Sequence, residues 1–162
     1  MNLNNLTIKA QEVVQKAQQL AMELGSQAIE PGHFLEGMFA IEDSPVNHLL
    51  KKLGLNPDVI RKTNESIAKS YVKGQNGGQS ISRQASEIVQ KANISLKTFG
   101  DEFVAVEHLF LGLLQTKDQV SQMLKDYGIK ENDLIAAIKD MRKGSKVHSQ
   151  SAENTYNALN KY

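Results

Sequence analysis

The side chains best suited to chemistry here are four histidines, His33, His48, His108 and His148. A helical metal site needs two of them three or four residues apart, or a thiolate; neither pattern occurs, and the chain has no cysteine. A nucleophilic triad needs a serine fixed at a sharp turn beside a base, and no such constellation is present. The glycine-rich stretch Lys73–Gln79 lacks the Gly-Lys-Ser/Thr ending that would place a lysine on phosphates and a hydroxyl on magnesium. No catalytic, cofactor-binding or metal-binding residue is assigned, and a binding surface is the better expectation.

Two of the histidines matter for a different reason: they are the same residue said twice. Ile29-Glu30-Pro31-Gly32-His33-Phe34-Leu35-Glu36-Gly37 returns 75 positions later as Val104-Ala105-Val106-Glu107-His108-Leu109-Phe110-Leu111-Gly112. Self-similarity at a fixed offset marks an internally duplicated fold. The same offset lays Ala10, Val13, Val14, Ala17 and Leu24 on Ala85, Ile88, Val89, Ala92 and Phe99, an apolar stripe at helical spacing in both copies. Thr7 is a fit N-cap for the first of these helices, and Gly25 and Gly100 stand where each helix ends.

Each copy holds four helices. In the first they run from about Thr7 to Leu24, then from Pro31, from Ser44-Pro45, and from Asn56-Pro57, the prolines sitting where a first turn tolerates them. The copy of the first helix is expected to run unbroken to Phe99. Gly37 and Gly112 fall inside the second helix of each repeat, where glycine costs about 1 kcal/mol against alanine; a close helix crossing at both places is the expected reason. No segment has a strand period, so the fold class is all-α: two four-helix repeats, about 1–72 and 80–143, related by a pseudo-twofold and sharing one core. Residues 144–162 are expected to be a linker, with an amphipathic piece from Ala152 to Tyr162 that leads toward a further domain.

Composition narrows the partners. Net charge is +1, with 40% hydrophobic and 23% charged residues. Nothing favours nucleic acid or an anionic membrane surface, and no run of about 18 apolar residues offers a membrane span. The absence of cysteine suits a reducing cytoplasm.

The duplicated helices with their Glu-Pro-Gly-His-Phe-Leu element, and the opening Leu6-Thr7-Ile8-Lys9-Ala10-Gln11-Glu12, resemble the N-terminal domain of the Clp family of AAA+ unfoldases. The tail from Ser149 to Tyr162 is similar to the entry into the first ATPase domain of the family's disaggregase branch. The resemblance implies a domain that recognises unfolded or aggregated protein and passes it to an ATP-driven homohexameric motor working with the DnaK chaperone system. ATP would then bind beyond Tyr162. The alternative is adaptor docking, as in the protease-linked branch. It further implies that Thr7, Asp101 and Glu107 take part in handling substrate. Phe103 lies beside the two acids, where the first repeat has only Ala28, and is expected to border the same shallow groove. Each polar residue also has a local reason to be there: Thr7 caps a helix, Asp101 follows one, and Glu107 sits in a first turn where the helix dipole favours a carboxylate.

Overall fold

The computed structural model describes residues 3–74 and 80–152. These form nine helical segments: α1 (Ile8–Glu23), α2 (Pro31–Ala40), α3 (Pro45–Lys52), α4 (Pro57–Ser70), α5 (Arg83–Ile94), α6 (Leu96–Phe99), α7 (Val106–Gln115), α8 (Gln119–Asp126) and α9 (Glu131–Arg142). No strand forms among the described residues, only three isolated bridges. Local chemistry sets the starts: Thr7, Ser44, Asn56 and Ser82 each accept a backbone N–H of the helix they precede, and Pro31, Pro45 and Pro57 occupy first positions.

The expected unbroken fifth helix is divided at Ser95 instead. Its hydroxyl donates to Ala92 O at 2.8 Å, a side-chain bond that competes with the helical ladder. The chain then completes one short turn, α6, before Gly100 adopts φ 68 and stops it.

One core spans both repeats, running from Ala10, Val13 and Phe34 through Leu50 and Ile60 to Ile88, Phe110, Leu124 and Ile138. The repeats also exchange short extended segments. Thr7 N–H donates to Val104 O at 2.9 Å and Val104 N–H to Asn5 O at 2.8 Å. At the equivalent place, Ile29 N–H donates to Ser80 O at 2.8 Å and Ser82 N–H to Ile29 O at 3.0 Å. Each half therefore holds the entry of the other half's first helix.

Within each half, the first and second long helices press backbone to backbone. A Cβ at Gly37 would stand 2.7 Å from Val13 O, and one at Gly112 would stand 2.4 Å from Ile88 O. Glycine is retained in mid-helix because no side chain fits.

The linker expected from residue 144 is docked, not loose. Val147 is fully buried. Its carbonyl accepts from Glu102 N–H at 2.8 Å and Phe103 N–H at 3.2 Å, and Gln150 O accepts from Ile8 N–H at 2.9 Å. The packed body thus extends past 143 to at least Gln150, and the piece expected beyond Ala152 lies outside the described residues.

Gly37→Ala and Gly112→Ala are expected to destabilise the fold by roughly 1–3 kcal/mol through overpacking, despite the helix-propensity gain of about 1 kcal/mol. Denaturant unfolding checks this; an unchanged or raised stability in both would contradict the close approach.

Candidate functional site

The two histidines show how the repeats diverged. In both, the ring closes its helix start: His33 Nδ1 accepts from Glu30 N–H at 2.9 Å, and His108 Nδ1 from Ala105 N–H at 2.8 Å. Accepting at Nδ1 leaves the proton of a neutral ring on Nε2. In the first repeat that side of the ring meets neutral groups. The Tyr71 ring lies 5.2 Å from it and Tyr71 Oη accepts from Gly32 N–H at 3.0 Å. Burial, opposed by the Ala68 backbone and aided by the Lys73 charge, lowers His33 to about 4, so this ring is neutral through the physiological range.

In the second repeat the equivalent side holds charges. His108 Nε2 donates to Asp101 Oδ2 at 2.7 Å. Arg142, at the end of α9, donates from Nε to Glu107 Oε2 at 2.9 Å and from a terminal nitrogen to Asp101 Oδ2. Its guanidinium also lies 5.2 Å from the centre of the Phe99 ring. Asp101 Oδ1 accepts from Val147 N–H at 2.9 Å, and Lys146 Nζ donates to Phe99 O at 2.8 Å. Burial pushes the Asp101 carboxyl up, but His108, the Val147 amide and Arg142 together outweigh it and hold it below its ordinary value. The first-repeat equivalents of Asp101, Glu107 and Arg142 are Ser26, Gly32 and Ile67; the whole ionic set is an addition to one half.

The four residues expected to border a groove do gather along one seam, yet their side chains do not form an open rim. Thr7 is fully buried, its hydroxyl accepting from Ala10 N–H at 3.1 Å. The Asp101 and Glu107 carboxylates have no exposed surface and are turned onto Arg142. Phe103 is half-buried against the core. In place of a groove rim the two carboxylates form a buried bolt with Arg142. The signal for it was in the sequence: a cation at Arg142 stands where the first repeat carries the apolar Ile67.

The open surface lies elsewhere. A cleft of about 470 Å³ runs between α5–α6, α7 and the α8–α9 corner. It is lined by Leu111 and Leu114, both almost fully buried, and by half-buried Ile135, while Ile94 stands at its edge 74% exposed. Ile94 replaces Gln19 of the first repeat, and Leu111 replaces Glu36. Both apolar substitutions lie off the core stripe of α5 or within a helix apolar all round, which hid them from a periodicity reading.

The profile of the Clp repeat N-terminal domain matches residues 5–127. The chain belongs to this family. It is 44% identical over 162 residues to the chaperone protein ClpB of Bacteroides thetaiotaomicron and 38% identical to that of Porphyromonas gingivalis, in each case across 100% of this chain. It spans 19% of the length of these relatives. Among solved structures it is similar to the Hsp104 N-terminal domain of Candida albicans, with a TM-score of 0.76 at 20% identity over 92% of this chain and 99% of that one. A ClpV N-domain in complex with a VipB peptide gives a TM-score of 0.70 at 21% identity, covering 87% of this chain and 89% of that one. This Clp N-terminal fold is a binding domain, and no helix among its described residues is long and apolar enough to cross a membrane.

Asp101→Asn should leave the buried Arg142 and His108 poorly compensated and cost roughly 3–5 kcal/mol, seen as a lowered denaturation midpoint at neutral pH. Because the folded carboxyl titrates below its ordinary 3.8, its contribution is complete well above that value and is lost as pH falls through the lower folded one. The difference between wild type and variant should accordingly shrink in acid. A variant as stable as wild type at pH 7 would remove the bolt.

Proposed function

We propose that this domain is the substrate-recognition module of a ClpB-type ATP-dependent disaggregase. It holds unfolded or aggregated polypeptide weakly and hands it to an AAA+ motor elsewhere in the full-length protein, a cytoplasmic homohexamer acting with the DnaK system. The observation that carries this reading is the open cleft of the second repeat, with the largely exposed Ile94 and the half-buried Ile135 at its mouth above the buried Leu111 and Leu114. Apolar side chains left open at the mouth of a cleft suit an interaction surface. Open on one side, it gives an extended chain too little burial for tight capture, and ordering the bound segment consumes much of the contact energy. Release toward a motor follows from the same weakness.

In this proposal Thr7, Asp101 and Glu107 serve substrate handling as positioning residues. They hold the α6–α7 loop and the 144–150 segment in place, and half-buried Phe103 is the member of the set that offers contact surface. The alternative reading, adaptor docking as in ClpC- or ClpA-type unfoldases, draws support from the ClpV N-domain of similar fold, which was solved with a peptide of a specific partner.

Titration of the chain with an unfolded client, followed by NMR, tests the proposal. Shifts should cluster at Ile94, Leu111, Leu114 and Ile135. Ile94→Ser should weaken binding about 5- to 30-fold, the loss expected from one partly buried isoleucine, without unfolding the domain, since the side chain is largely exposed. Binding of a folded adaptor with no response to unfolded clients would favour the alternative. Shifts confined to the first repeat would overturn the placement.

The chain by itself is expected neither to bind nor to hydrolyse ATP, since its glycine-rich stretch lacks the Gly-Lys-Ser/Thr ending a phosphate loop requires. Isothermal calorimetry with magnesium-ATP checks this; stoichiometric heat would contradict it.

A further inference from the structure

The cleft of the second repeat does not stand alone. A second depression of about 300 Å³ adjoins it, sharing Lys91 and Gln115 and adding Arg83, Glu87 and Lys117. Around the pair stand four cations, Arg83, Lys91, Lys117 and Lys125, and two carboxylates, Glu87 and Glu131. Both carboxylates are engaged within the domain: Glu87 lies 3.6 Å from Arg83, and Glu131 accepts from Gln115 Nε2 at 2.6 Å. Among the described residues, no carboxylate pairs with Lys91, Lys117 or Lys125. The cleft is thus framed by ammonium groups that no carboxylate of the domain pairs with among the described residues.

The first repeat provides an internal comparison. At the places of Thr98, Leu111 and Lys117 it carries Glu23, Glu36 and Glu42, while Lys16 and Lys51 match Lys91 and Lys125. The second repeat lacks these three acids, although it carries Glu131 where the first has Asn56.

We propose that this cleft selects apolar polypeptide segments flanked by acidic residues, and disfavours the same segments flanked by basic ones. This rests on the recognition role proposed above and supplies its substrate chemistry. The apolar side chains of the segment lie on Ile94 and Ile135; its carboxylates reach Lys91 and Lys125 at the margins. Such pairs are exposed, so they bias the choice of segment and speed encounter more than they tighten the complex. The bias weakens as salt screens it.

The test uses two synthetic peptides with one leucine-rich core, flanked by glutamates in the first and by lysines in the second. Each is titrated into the chain at low and at raised salt. The glutamate-flanked peptide should bind roughly 2- to 30-fold more tightly, the span expected of two exposed ion pairs, with shifts at Ile94 and Leu114. The preference should narrow with salt and invert in the Lys91→Glu, Lys125→Glu double variant, whose unchanged circular dichroism certifies the fold. Equal or tighter binding of the lysine-flanked peptide at this cleft overturns the charge selection while leaving recognition intact. No binding of either peptide at the cleft overturns both.

Discussion

At Gly37 and Gly112, a helix lies so close to its neighbour that a carbonyl oxygen fills the space of a side chain. That approach fixes the α1–α2 and α5–α7 pairs, and the pairs fix the rest. Once the long helices touch at their backbones, the chain leaves each at a set place, so Ile29 and Val104 arrive in extended form beside the entry of the opposite half. Their amides and carbonyls are satisfied there, as buried backbone groups must be. The duplication is therefore more than two similar bundles placed together. Each half completes the hydrogen bonding of the other, and neither helix entry is whole by itself.

On this symmetric frame the two halves have been put to different ends. The first closes its histidine with a tyrosine and neutral backbone groups; the second closes it with Asp101, Glu107 and Arg142. A buried charge cluster is a poor source of net stability, because desolvation offsets most of the attraction. What it provides is direction. The guanidinium has one place to go, and with it α9 ends against α7, while Asp101 takes the Val147 amide and anchors the chain that leaves the domain. The loop before α7, the entry of α1 at Thr7 and the departing segment at Gln150 converge on this one corner. Loss of either carboxylate would be felt along all three.

The cleft is the counterpart of that asymmetry. Where the second repeat gained buried ions at one end, it replaced Glu23, Glu36 and Glu42 at the other with Thr98, Leu111 and Lys117, and left Ile94 open between lysines.

The sequence by itself determined the architecture. Helix starts at Thr7, Pro31, Pro45 and Pro57, the offset of 75, the apolar stripes and the two mid-helix glycines are all local or periodic signals, and such signals survive translation into structure because each is satisfied within one helix or one helix pair. The grouping of Thr7, Asp101, Glu107 and Phe103 came from the family resemblance rather than from any periodic signal. Only the tertiary structure decided which way they face. Whether a carboxylate after a helix meets water or an arginine depends on where α9, forty residues further on, comes to rest; no local rule carries that distance. The same holds for Val147, polar in its surroundings by sequence and buried in fact, and for the cleft, two of whose lining residues, Leu111 and Leu114, sit in a helix buried nearly all round. Burial of an ionic group is a property of the assembled core, and the choice between rim and bolt was made there.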